Sequence, residues 1–197
     1  MKKLFFTLVL AASFMTMNAQ SNDYKMVAGL HAGYSLTGAL FNSGSDASPL
    51  PAIQATFDYG LTDKVSIGAA VSYQNIDLGS TSNTYVDADG NTQTESVSTT
   101  YNRSNFAIRP LFHYGGDSNL DMYSGLRIGW LGRDYTSNSN DPSFNPVNFF
   151  GADSGGRFAL GVTAFGLRYY FTDNIGAGIE INIGSPHITN VGVSARF

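Results

Sequence analysis

A chain of 197 residues with no cysteine and a formal net charge of −4 is long enough for one domain with an adequate core. It excludes disulfides, thiolate nucleophiles and cysteine metal sites. Its acidic balance, without a Lys/Arg cluster able to neutralise several phosphates, argues against a nucleic-acid partner. Only 13% of residues are charged, beside 22 glycines, 11 tyrosines and 14 phenylalanines. That charged fraction is about half the usual value and favours strands, tight turns and aromatic surfaces.

The first segment, MKKLFFTLVLAASFMTMNAQ, starts basic at Lys2 and Lys3 and continues with an apolar run to about Met17. The run is short for a bilayer span and ends in small or polar residues, as a secretory signal does. Residues 1–19 are therefore expected to be a signal peptide cleaved after Ala19, leaving 20–197 as the mature domain. An uncleaved anchor or a buried helix is the alternative reading. Cleavage removes two lysines and no acid, so the mature chain is more acidic still.

After the signal, no stretch has the length of a membrane helix, and alternation of period two recurs throughout. Tyr24, Met26, Ala28, Leu30, Ala32 and Tyr34 oppose Lys25, Gly29, His31, Gly33 and Ser35. Val65, Ile67, Ala69, Val71 and Tyr73 oppose Ser66, Gly68, Ala70, Ser72 and Gln74. Ile175, Ala177, Ile179, Ile181 and Ile183 oppose Gly176, Gly178, Glu180 and Asn182. The pattern predicts eight strands, over 24–37, 50–60, 65–78, 97–114, 120–132, 157–171, 175–184 and 187–197. Short connectors follow strands two, four and six, and long polar ones follow one, three and five. Two of the short connectors repeat one phrase: YGLTDKV from Tyr59 and YYFTDNI from Tyr169.

Short turns at one end and long loops at the other is the layout of an eight-stranded antiparallel up-and-down transmembrane β-barrel, an all-β fold. A soluble β-sandwich would also alternate. However, the face opposite the apolar one carries glycine, serine, glutamine and charge, which makes a poor sandwich core. Tyr59, Tyr114, Trp130, Tyr169, Tyr170 and Phe171 gather at predicted strand ends, where interfacial girdles belong. Strand 157–171 is apolar on both faces. Its Arg168 is assigned inward because an arginine at lipid mid-depth costs about 2–4 kcal/mol.

The basic leader, the strand–turn rhythm, the TDK and TDN turns and the closing VGVSARF together resemble the bacterial outer membrane protein β-barrel domain family. That family includes OmpX-like and OmpA-transmembrane-like small barrels. The resemblance covers essentially the whole mature chain. It implies a monomer in the bacterial outer membrane, among lipid and lipopolysaccharide. It also implies an insertion signal at Val191, Val193 and Phe197, read by the barrel assembly machinery.

An eight-stranded barrel is just wide enough to be filled by its own side chains. The alternation points His31, Gln54, Asp58, Gln74, Arg109, Arg127, Arg168 and Glu180 inward. Glu180 facing Arg109 and Arg127, with His31 nearby, is expected to form ion pairs that plug the lumen. The alternative is a narrow porin-like channel lined by the same groups.

Other candidates are weaker. Asp87, Asp89, Asn91 and Glu95 incompletely match a calcium loop, while Asp-Gly there reads as a hairpin turn. HITN at His187–Asn190 faintly resembles the His-x-Ser-Asn of lipid A deacylase barrels, which would be a hydrolase acting from an outward-facing His187 and Thr189. Threonine replaces the serine, and no acid follows to orient the histidine. His113 is expected to pair with Asp121 across a short turn. No two histidines have ligand spacing, so no metal, cofactor or catalytic residue is assigned. The loops around 38–49, 79–96 and 133–156 are expected to contact an extracellular ligand. Phe144, Phe149 and Phe150 are its candidate contacts.

Overall fold

The computed structural model describes residues 25–35, 48–86, 90–114, 119–139, 155–184 and 187–197. Among them are nine strands and no helix: β1 (Met26–Tyr34), β2 (Ser48–Pro49), β3 (Ala52–Thr62), β4 (Val65–Val86), β5 (Thr92–His113), β6 (Leu120–Ser139), β7 (Gly155–Tyr170), β8 (Ile175–Ile183) and β9 (Thr189–Arg196). Eight of these form a ring in which each pairs antiparallel with its neighbours, β9 closing on β1 and β4 on β5. The two-residue β2 is an extra rung on β4 and was not expected. Closure pairs every main-chain edge, as a bilayer without water requires.

The recurring Thr-Asp phrase has a geometric cause. In the β3–β4 turn the Thr62 hydroxyl accepts from the main-chain N–H groups of Lys64 (3.3 Å) and Val65 (3.1 Å). In the β7–β8 turn Thr172 accepts from Asn174 (3.4 Å) and Ile175 (2.9 Å). One short side chain thus caps the same tight turn twice. Both turns lie at the end of the ring where Lys25 and Met26 donate their N–H groups to the Phe197 carbonyl. Short turns mark the periplasmic end of a barrel of the outer-membrane type.

Outward positions are apolar through the middle of the ring: Leu30, Phe57, Val71, Phe106, Ile108, Leu126, Ile128, Leu160, Ile179, Val191 and Val193 are all exposed. Inward positions are buried and mostly polar, with Ile76, Leu111 and Leu131 among the apolar exceptions. This inverts a soluble core and is what a lipid-facing wall requires. The band ends at Tyr73, Phe106, Trp130 and Phe158. Beyond it the same face of β5 carries Ser104, Asn102, Thr100 and Ser98.

Three strands are longer than expected. β4 and β5 have 22 residues each and β6 has 20, about twice a membrane-crossing strand. Segments 79–96 and 133–156, expected as loops, are therefore largely strand where they are described. The alternation simply continues there in Ser, Thr, Asn and Gln, a polar composition that reads as loop when hydrophobicity is the guide. Gly79, with φ of 85°, sits where the β4 register shifts against β5 between Asp77 and Ser80. That bulge switches which residues of β4 face the lumen.

A second bulge explains why β7 is apolar on both faces. Its pairing shifts by one residue against both β6 and β8, between Thr163 and Phe165 or Gly166. Before the shift Thr163 faces inward; after it Gly166, Arg168 and Tyr170 do. Ala164 is the extra residue, and the Ser124 hydroxyl donates to its carbonyl at 2.8 Å. Tyr170, expected in the outer girdle, is thereby turned inward and is 2% exposed. Tyr59, Tyr114, Trp130, Tyr169 and Phe171 face outward.

Candidate functional site: the charged lumen

The lumen-facing residues of six strands converge on two carboxylates. Glu180 of β8 is 0% exposed, and both of its oxygens are used twice. Oε1 accepts from Arg109 Nη2 at 2.6 Å and from the Tyr123 hydroxyl at 2.8 Å. Oε2 accepts from Gln54 Nε2 at 3.2 Å and Asn190 Nδ2 at 3.0 Å. Asp58 of β3 lies between two arginines. Its Oδ2 accepts from Arg168 Nη2 at 2.5 Å, and its Oδ1 is 3.2 Å from Arg109 Nε, an ionic approach without hydrogen-bond alignment.

The network continues to the periplasmic end. Arg168 Nη1 donates to Asp121 Oδ2 at 3.4 Å, and Asp121 Oδ1 is 2.6 Å from His113 Nδ1. The other ring nitrogen of His113 is 2.8 Å from the Ser66 hydroxyl. The guanidinium of Arg168 stacks 4.3 Å from the centre of the Tyr123 ring. Charge-assisted hydrogen bonds are strong when dry, and here each carboxylate meets at least one guanidinium.

Gly166 admits that ring. A Cβ built on Gly166 would overlap the Tyr123 ring carbons. Gly166→Ala is therefore expected to displace Tyr123 from Glu180 and to cost about 1–3 kcal/mol, as overpacking does. The check is urea unfolding of the folded barrel. An unchanged midpoint would mean that the ring can leave its place freely.

Two expected ion-pair partners are placed in the lumen without a carboxylate. Arg127 is 3% exposed, yet no carboxylate of the described residues lies within ion-pair distance. Its two terminal nitrogens have no hydrogen-bond partner. The reason is occupancy: Arg109, Tyr123, Gln54 and Asn190 already fill Glu180. His31 is 1% exposed with neither ring nitrogen bonded; its ring lies against Gly29 and Gly192, where any side chain would collide.

The outward placement of His187 is corrected. His187 is 1% exposed, and its Nε2 is 2.8 Å from Asn190 Nδ2 inside the ring. His187 lies before β9 begins at Thr189, and the chain bends at Ile188, so the alternation carried back from β9 ends short of it. A lipid-facing histidine is therefore absent from that segment as described.

Val191 and Val193 face outward, paired with Ala32 and Leu30. Phe197 donates its N–H to the Met26 carbonyl at 2.9 Å. Phe144, Phe149 and Phe150, the signal segment 1–19, and Asp87 and Asp89 of the calcium candidate lie outside the described residues. Glu95 from the same candidate accepts from Ser139 at 3.3 Å. No group of three metal-ligating side chains occurs among the described residues.

Sequence reasoning named Asp58 and Arg168 as inward but did not pair them. It passed over Tyr123, and it had Asn190 only as the last residue of HITN, without its contact to Glu180. Tyr123 shares the phase of Arg127 on β6 and was legible by counting; Asn190 was not, because its approach to Glu180 depends on the β8–β9 register.

The outer membrane protein beta-barrel domain model matches residues 6–197. No curated protein matches the chain. Among solved structures, the N-terminal β-barrel domain of Pseudomonas aeruginosa OprF is similar at 17% identity, over 88% of this chain and 98% of that one, with a TM-score of 0.46. Neisserial surface protein A aligns at 14% identity over 90% and 98%, with a TM-score of 0.45. The Yersinia pestis attachment invasion locus protein Ail aligns at 10% over 87% and 95%, with a TM-score of 0.44. With the family model spanning nearly its whole length and an antiparallel ring of the matching architecture, the chain belongs to the outer membrane protein β-barrel domain family and resides in the bacterial outer membrane.

Proposed function

We propose that this barrel acts at the cell surface through its extracellular loops, with a lumen closed to solutes by the charges around Glu180 and Asp58. The observation that supports the reading is Glu180 at 0% exposure with four donors on its two oxygens. Such a carboxylate leaves little for a passing ion to displace. On this reading the protein is a monomer and not an enzyme. Phe144, Phe149 and Phe150 contact the extracellular ligand, and Val191, Val193 and Phe197 serve insertion by the assembly machinery.

A narrow channel is the second reading. Arg127 favours it, because two buried guanidinium nitrogens without protein partners call for water. The hydrolase reading loses its geometry with His187 inside the ring.

Planar-bilayer recording of the folded protein, with gel mobility heated against unheated as the folding control, separates the first two readings. The closed barrel is expected to show a heat-dependent mobility shift and no steady conductance. A stable conductance of ionic size would overturn it and make Arg109, Arg127 and Glu180 pore-lining residues.

A further inference from the structure

On the outer wall, one row of residues crosses four strands at the extracellular edge of the apolar band. Tyr73 of β4 is opposite Ser104 of β5, Ser104 is opposite Gly132 of β6, and Gly132 is opposite Gly156 of β7. One step toward the membrane centre, Phe106, Trp130 and Phe158 stand side by side in the same register. One step away from it, Asn102 is opposite both Asn75 and Asp134. Phe106, Trp130, Phe158 and Tyr73 are all exposed, which fixes this phase as the outward one.

Three of the four residues in the row are small, so the wall is hollowed between Tyr73 and Trp130. A cavity of about 410 Å³ lies there, bordered also by Asn102, Ser104 and Asp134. Arg103 and Arg133, which belong to the inward phase, adjoin it. A Cβ built on Gly156 would collide with the indole of Trp130 at Nε1 and Cε2, so the ring lies over β7 instead of standing away from the wall. A Cβ on Gly132 would meet the Ser104 hydroxyl at 2.6 Å. The far edge is polar and fixed: Asn102 Oδ1 accepts from the Tyr73 hydroxyl at 2.9 Å and from Asn75 Nδ2 at 2.8 Å. A girdle tryptophan needs only an interface. It needs neither an emptied row beside it nor an ordered amide across from it.

An aromatic face beside hydroxyl, amide and carboxylate groups matches a pyranose ring, which has apolar C–H faces and a rim of hydroxyls. The C–H groups meet the negative face of the indole, and a carboxylate accepts hydroxyl donors in charge-assisted bonds. The depth names the source. The cleft is continuous with the lipid-facing wall at the extracellular end, where the outer leaflet presents its headgroups. In a bacterial outer membrane those are the sugars of lipopolysaccharide. We propose that the cleft holds one sugar ring of lipopolysaccharide, stacked on Trp130 and hydrogen-bonded by Asn102, Ser104 and Asp134. The site is outside the ring of strands, so it stands whether or not the lumen conducts and whatever the loops contact.

The test places the folded protein in phosphatidylcholine bilayers with increasing lipopolysaccharide, or with phosphatidylglycerol at matched charge as an anionic lipid that lacks a pyranose ring. The readout is acrylamide quenching of Trp130, the single tryptophan of the chain, with gel mobility heated against unheated as the folding control. Lipopolysaccharide is expected to shield Trp130 saturably. Phosphatidylglycerol is expected to leave it as accessible as in phosphatidylcholine alone.

In the N102A/D134A double variant the lipopolysaccharide fraction that gives half of the shielding is expected to rise roughly tenfold, about 1.4 kcal/mol. Ser104→Leu, which fills the cleft with an apolar side chain and leaves its polar edge in place, should weaken the shielding in the same way. Ser98→Ala, farther along the same face of β5, should change nothing. Equal shielding by the two lipids, no shielding by lipopolysaccharide, or shielding unchanged in either folded cleft variant would overturn the assignment.

Discussion

Glu180→Ala is expected to destabilise the folded barrel by about 3–5 kcal/mol, the loss that follows when one partner of a buried ion pair is removed. The direct hydrogen bonds are the smaller part of this. Arg109, at 0% exposure, keeps only its misaligned approach to Asp58, while the Tyr123 hydroxyl, Gln54 Nε2 and Asn190 Nδ2 lose their common acceptor. Urea unfolding of the detergent-folded protein measures the change. Glu180→Gln keeps one acceptor oxygen and much of the shape, so it should cost less. E180L/R109M, which removes both charges together, should recover much of the loss, since apolar replacement of a whole pair is often neutral. A loss in Glu180→Ala below about 1 kcal/mol, the range of exposed pairs, would show that water reaches this layer and would favour the channel reading.

Ile108→Arg is expected to cost about 2–4 kcal/mol, the penalty of an arginine near the bilayer midplane of a barrel. Ile108 is 48% exposed on the outer wall and lies between Ala69 and Ile128 in register. Ser98→Arg, on the same face of the same strand but beyond the apolar band, should stay within about 0.5 kcal/mol, like other surface changes. The comparison is depth against depth on one strand. It is read in lipid bilayers by unfolding and in cells by the amount of folded protein in the outer membrane. Equal costs at the two positions would mean that the apolar band is not where the lipid lies.

Much of the lumen was legible from alternation because a strand has a strict period of two. Counting inward from Ile175 reaches Glu180, and counting along β5 reaches Arg109, without knowledge of the neighbours. Arg168 needed an energetic argument instead, since both faces of its strand are apolar. The structure places it inward through the bulge at Ala164, which no local preference of that sequence announces. Tyr170 was misplaced for the same reason, as one extra residue reverses every later side chain. His187 was misplaced because alternation was carried back past Thr189 across the bend at Ile188, where the strand rule no longer holds.

The sequence by itself determined the class of protein: inverted alternation and aromatic strand ends follow from one strand meeting lipid on one side, and the repeated Thr-Asp turns from the local bonding of a short turn. Which charges meet inside the ring was decided only by the tertiary structure. Glu180 and Arg109 are 71 residues apart, and Arg168 and Asp58 are 110 apart. Their meeting depends on ring closure, on the register of every intervening pair and on the bulges in β4 and β7. Arg127 shows the consequence. It has the same phase and the same charge as Arg109, yet it goes without a carboxylate because Glu180, with only two oxygens, is already filled by its neighbours.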